Sequence, residues 1–162
     1  MSFTQELPRS LSPSRLSDFQ TCPKRYQYAS IERIPQPASY ATAKGRFAHF
    51  VFEQLFNLPA EERTIDRARG FVPAAIEEIL TEDVRVDIAM DDAMMDRLLK
   101  ETEEIITTYF QMEDPTSVTS EGVELRLGVT INGAPLFGIL DRLDRDADGS
   151  LTIVDYKTGG LP

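Results

Sequence analysis

Asp141, Asp155, Lys157 and His49 have the types and settings that metal-assisted hydrolysis requires. Asp141 stands inside the apolar run Gly138-Ile139-Leu140-Asp141-Arg142, and Asp155 inside Ile153-Val154-Asp155-Tyr156-Lys157. A carboxylate among apolar neighbours is costly unless it is paired or binds a cation. Asp155 and Lys157 lie two residues apart, so on a strand both side chains leave the same face. An ammonium beside a carboxylate-held cation can orient a water, help deprotonate it and balance charge on a pentavalent phosphorus. Oxygen ligands of this kind select Mg²⁺ or Mn²⁺ over zinc. His49 is the single histidine. From the residues alone, the acids can also be read as salt-bridging strand residues and His49 as a satisfied core residue.

The elements that must position these groups follow from periodicity. Ser12-Pro13 reads as an N-cap followed by proline at the first helical position, opening a short helix to about Gln20 with a break at Cys22-Pro23. A second turn or helix extends through Tyr28, and 34–37 reads as a loop. Phe47, Phe50, Val51, Leu55 and Phe56 recur at helical spacing over 41–57, which Pro59 terminates. Further helices are expected over 65–80, weakened by Gly70 and Pro73, and over 91–112; the group Met90, Met94 and Met95 reads as helix packing. Beyond Pro115 the pattern changes. Val123, Leu125, Leu127, Val129 and Ile131 alternate as in a half-buried strand, and Asn132-Gly133 signals a hairpin turn. Two more strands are expected over 136–144 and 151–156. The expected class is α/β (α+β): N-terminal helices followed by a three-stranded antiparallel meander.

With 162 residues, 41% of them apolar, the chain is sized for one domain with a real core. No apolar run is long enough to span a membrane, and no apolar signal core opens the sequence, so a cytoplasmic protein is expected. The single Cys22 excludes an internal disulfide framework. On type alone it reads first as a buried small apolar residue and second as a remnant cluster ligand. The net charge of −10 is uneven: residues 1–50 hold seven Lys/Arg and three acids, hence +4, which leaves −14 for 51–162. A basic N-terminal third can meet phosphate, although a solvated surface explains it equally well.

Four segments in order resemble the PD-(D/E)xK nuclease superfamily, nearest to RecB-like exonucleases. Gly138-Ile139-Leu140-Asp141-Arg142 is similar to the family's G-x-x-D-R segment, and Asp155-Tyr156-Lys157-Thr158-Gly159 to its D-x-K-T-G strand end. Gly45-Arg46-Phe47-Ala48-His49 is similar to its G-x-x-x-H helix. Ser12-Pro13-Ser14 with Cys22-Pro23-Lys24-Arg25-Tyr26 is similar to its N-terminal S-x-S…C-P-x-x-Y segment. The resemblance implies a restriction-endonuclease-like core spanning 1–162, with N-terminal helices over 1–58, a helical insertion over 59–114 and a catalytic meander over 115–162. It implies His49, Asp141, Asp155 and the Tyr156 carbonyl as metal ligands and Lys157 as the catalytic lysine. Glu124 is a candidate accessory to the site, and Glu53, one turn after His49, a candidate to orient it. Arg15, Lys24, Arg25 and Arg46 are candidates to touch DNA phosphate. A metal-dependent deoxyribonuclease acting in repair or recombination, with DNA and a helicase or other recombination protein as partners, is what the family implies.

In two respects the sequence departs from the family pattern. The family's Q-x-x-x-Y helix after the D-x-K strand is absent, so the fold is expected to be a fragment, incomplete at its C-terminus. Iron–sulfur relatives use four cysteines, and with Cys22 alone such a cluster is not possible from this chain by itself. The alternative is a catalytically incomplete DNA-binding or assembly module of the same fold. A rival motif, Asp144-x-Asp146-x-Asp148-Gly149 with Asp155 at the twelfth position, matches much of an EF-hand loop. Its flanks read as strands rather than helices, which favours an acidic turn.

Overall fold

The computed structural model describes residues 10–159. The segment 1–9, on which most of the signal-core reading falls, and 160–162 lie outside the described residues. Helices come first and a three-stranded antiparallel sheet follows, with strand order β1-β2-β3. The helices are α1 (Pro13–Thr21), α2 (Pro23–Tyr26), α3 (Tyr40–Phe56), α4 (Ile65–Gly70), α5 (Val72–Ile79), α6 (Glu82–Asp87) and α7 (Asp92–Met112). The strands are β1 (Ser120–Ile131), β2 (Ala134–Arg145) and β3 (Leu151–Val154). Among the described residues, no helix is long and apolar enough to cross a membrane.

The chain forms two compact units. Among the described residues, one comprises 10–36 together with Arg126–Ile139. Ser12 caps α1 by accepting from the Arg15 N–H at 3.3 Å, with Pro13 at the first turn as its fixed φ favours. Cys22, extended at φ −160°, ends α1 and begins α2. It is exposed rather than buried as its residue type suggests, because a junction between two short helices leaves no interior around it. A π-helix over Gln27–Ile31 continues α2. Leu11 bridges the hairpin, donating to the Pro135 carbonyl and accepting from the Phe137 N–H, both at 2.9 Å. Asn132 and Gly133 turn that hairpin at φ 50° and 81°, the left-handed geometry of its two-residue loop. The expected half-burial of β1 does not extend here: Leu127, Val129 and Ile131 are exposed.

The second unit comprises Pro37–Leu125 together with 140–159. Its centre is α3, capped by Ser39, which accepts from the Thr42 N–H. One stripe of α3, Ala43 and Phe47, packs with Ala75, Ile79, Leu80, Ile88 and Leu98. The next stripe, Ala48, Val51, Phe52, Leu55 and Phe56, packs with Ala68 and Ile106 and with partly buried Tyr109, Val123 and Tyr156. Met90, Met94 and Met95 pack against the first of these cores. Segment 59–114 therefore walls both flanks of α3. The expected helix 65–80 is two helices, α4 and α5, divided at Phe71 by Gly70 and Pro73. Short α6 has no counterpart among the expected helices, since six residues carry too little periodicity to read.

In the sheet, β2 pairs with β3 in the register Arg142↔Val154 to Arg145↔Leu151. The acidic motif between them is a turn. Asp146 and Asp148 accept from the Ser150 hydroxyl at 3.2 and 2.7 Å, and Gly149 turns at φ 87°. Strands flank it on both sides, as expected for the turn and against an EF-hand.

Candidate metal centre

Asp141 faces His49 from the middle of β2. Its Oδ2 accepts from the Tyr156 N–H at 2.8 Å, and its Oδ1 lies 3.5 Å from His49 Nδ1. The other ring nitrogen, Nε2, is 3.0 Å from the Tyr156 carbonyl oxygen. Glu124 Oε1 lies 4.0 Å from Nδ1. One ligand atom each from His49, Glu124 and Asp141 fall within 4.8 Å of one another, the only such group of three among the described residues. Asp141 is the most enclosed, with its side chain 14% exposed, against about a third for the other two.

Glu124 reaches this point through an unusual backbone. Its φ is +47°, a left-handed conformation that costs a non-glycine residue. Gly122, Val123, Glu124 and Leu125 are all half-buried in succession, so the alternation of β1 is broken there. Val123 stays in the core while Glu124 faces His49.

Asp155 and Lys157 follow β3 and are more open. Lys157 Nζ sits 2.5 Å from Asp155 Oδ2, with side chains 78% and 54% exposed. The hydrogen bond from Lys157 holds the Asp155 carboxyl below its usual range, and Asp155 raises Lys157 in return. The nearby charge of Asp141 adds to the rise of Lys157. Lys157 is therefore firmly an ammonium at neutral pH.

The remaining sequence candidates are distributed as follows. Glu53 and Arg46 line a cleft of about 400 Å³ with His49, Glu124 and Glu78. The His49 nitrogens are directed at Tyr156, Glu124 and Asp141, with Glu53 beside them on the cleft wall. Arg15, Lys24 and Arg25 belong to the first unit. There they bind the Ser10 carbonyl, Gln27 and Asp18 respectively.

Sequence reading misses what lies on the opposite face of β2. Arg142 is buried, with its side chain 1% exposed. Its guanidinium donates to Glu113 through Nη1 and Nη2 at 2.9 Å each, to Asp144 through Nε at 3.0 Å, and to the Tyr109 and Tyr156 hydroxyls at 3.1 and 2.9 Å. Tyr109 in turn donates to Glu113. The guanidinium stacks 4.1 Å from the centroid of the Phe56 ring. Burial pushes Glu113 up, but the bonds from Arg142 outweigh it and hold its carboxyl below the ordinary range. Burial chiefly raises the Tyr156 hydroxyl. The available signal is an arginine on the inward face of an apolar strand, which demands anions; nothing in sequence points to Glu113, 29 residues away.

The helix-then-meander architecture is that of a restriction-endonuclease-like fold, and comparison with known families agrees. The chain belongs to the PD-(D/E)XK nuclease superfamily, whose family model matches residues 10–162. Its relatives include subunits of ATP-dependent helicase/deoxyribonucleases. The protein from Streptococcus agalactiae serotype Ia is 30% identical over 161 residues, those from Streptococcus equi subsp. zooepidemicus 26% over 165 and Streptococcus pyogenes serotype M49 25% over 162. In each case the match covers 96% of this chain and 15% of the relative, so the chain spans about a seventh of their length.

Proposed function

We propose that this chain supplies the metal-binding and catalytic part of a deoxyribonuclease that hydrolyses DNA phosphodiester bonds with Mg²⁺ or Mn²⁺. The observation that carries this reading is the convergence of His49, Glu124 and Asp141 within 4.8 Å, with the Asp155–Lys157 pair following on β3. The residues fit a hard divalent cation: one imidazole nitrogen and two partly buried carboxylates converge, with a backbone carbonyl at the other ring nitrogen and no thiolate. His49, Glu124, Asp141, Asp155 and the Tyr156 carbonyl would hold it. A bound cation supplies Lewis acidity, acidifying water and neutralising charge on the phosphoryl oxygens.

The protein's own groups do the rest. Asp141 has one oxygen fixed by the Tyr156 N–H, which leaves the other directed at His49. Lys157, held protonated by Asp155, donates hydrogen bonds to the water and to the phosphoryl oxygens, whose growing negative charge it offsets. The name of the relatives couples a deoxyribonuclease to an ATP-dependent helicase, which supports DNA as substrate and a helicase as companion. Exonucleolytic action in repair or recombination, in the cytoplasm, extends the same reading.

Lys157→Ala in the intact protein should abolish cutting, by a factor on the order of 10²–10³ as for removal of a transition-state donor, while DNA binding survives. Undiminished degradation by that variant sinks the enzyme reading. Asp141→Ala should remove Mn²⁺ binding. DNA binding by the parent protein without metal-dependent turnover would instead mark a non-catalytic module.

A further inference from the structure

We propose that Arg142 is a positioning residue that sets the metal centre through the backbone of Tyr156. This rests on the metal-centre reading above and says what holds that centre in shape.

Tyr156 is a two-sided residue. Its ring enters the core, with centroids 4.7 Å from Phe52 and 6.2 Å from Tyr109, and its hydroxyl accepts from Arg142 at 2.9 Å. Its backbone does the opposite work. The N–H fixes Asp141 Oδ2 at 2.8 Å, and the carbonyl oxygen lies 3.0 Å from His49 Nε2. This backbone is outside the β-ladder, which ends at Arg142↔Val154. No ladder hydrogen bond places it, so the anchored side chain must.

Arg142 is suited to that role. It follows Asp141 directly, so alternation sends the two side chains to opposite faces of β2. Asp141 contacts the Tyr156 amide on one face, while Arg142 grips the Tyr156 hydroxyl on the other. The guanidinium is itself rigid: Glu113 holds it from the end of α7, Asp144 from β2, and Phe56 stacks on it. A planar fork satisfied on every side is far stiffer than an ammonium would be. Two adjacent residues of one strand thus clamp one residue from both sides, and two contacts to the metal centre depend on the grip.

The test compares Tyr156→Phe with Tyr109→Phe in the intact protein. Both variants keep an aromatic ring and delete one hydroxyl that accepts from Arg142; only position 156 is joined by its backbone to the site. Mn²⁺ affinity is read by electron paramagnetic resonance, with folding checked by circular dichroism. Tyr156→Phe should weaken Mn²⁺ binding about tenfold, as loss of a group orienting metal ligands does. Tyr109→Phe should change it less than about twofold at a comparable loss of melting temperature. Equal effects of the two, or unchanged affinity in Tyr156→Phe, overturn the proposal. Arg142→Lys should bind Mn²⁺ as weakly as Tyr156→Phe; parental affinity in that variant also overturns it. Failure of the underlying reading looks different: the parent protein would bind no Mn²⁺, or Asp141→Ala would bind it as the parent does.

Discussion

Glu124 illustrates how local strain and a site come together in one residue. Its φ of +47° is a conformation natural to glycine, and a glutamate there costs about 1–3 kcal/mol. Glycine would relieve that strain, against an added chain-entropy cost of about 0.5–1 kcal/mol. Glu124→Gly should therefore hold or raise the melting temperature while weakening Mn²⁺ binding, the opposition expected where stability has been given up at a working site. Thermal denaturation alongside metal titration measures both; a large drop in melting temperature would show that the side chain is structural. Asp141, Asp155, Lys157 and His49 can be picked out of the sequence because their types are out of place among apolar neighbours. The conformation of Glu124 cannot, since strand alternation predicts no left-handed residue there. Arg142 is visible as a letter in G-x-x-D-R, but two of its partners, Tyr109 and Glu113, come from α7 and its end, and sequence separation conceals them.

At the scale of elements, the helix α3 and the end of β3 carry the arrangement. Long periodic helices are readable nearly to the residue: 91–112 is expected and Asp92–Met112 forms, capped by Asp91 accepting from the Met94 N–H. The end of β3 is not, because the Tyr156 N–H goes to a carboxylate instead of a neighbouring strand. Gly45, inside α3, offers a test of how closely the two elements meet. A methyl group there would lie 3.6 Å from Thr158 Oγ1, an ordinary contact. Gly45→Ala should thus gain the helix-interior advantage of alanine, about 0.5–1 kcal/mol. Denaturant unfolding that showed a loss instead would mean that Thr158 cannot yield to the added carbon.

For the molecule as a whole, acid should be the condition that loosens it. Arg97 first, then Lys44, holds Glu101 down to about 2, and Arg142 holds Glu113 below its usual range. A carboxyl depressed in the folded state contributes stability above its unfolded pKa and loses it as pH falls through the folded one. Melting temperature should therefore decline as pH drops from about 4.5 towards 2, the span set by Glu101. Glu101→Gln should be less stable at neutral pH and lose less on acidification; an identical decline in both proteins would remove Glu101 from the account. Fold class is legible at this scale, from helical periods before Pro115 and alternation after it. The two units are not, because each is assembled from separated stretches of chain.

One consequence follows from Asp141 and Arg142 being consecutive. Hairpins err most readily by slipping one residue, which exchanges the two faces of a strand. In β2 that slip would inter a carboxylate among Phe56, Tyr109 and Tyr156 and thrust a guanidinium out beside Lys157. Both halves of the mistake carry a penalty, so the strand proofreads its own alignment, and an insertion or deletion within 140–145 would be far less tolerable than one at the Asn132-Gly133 tip.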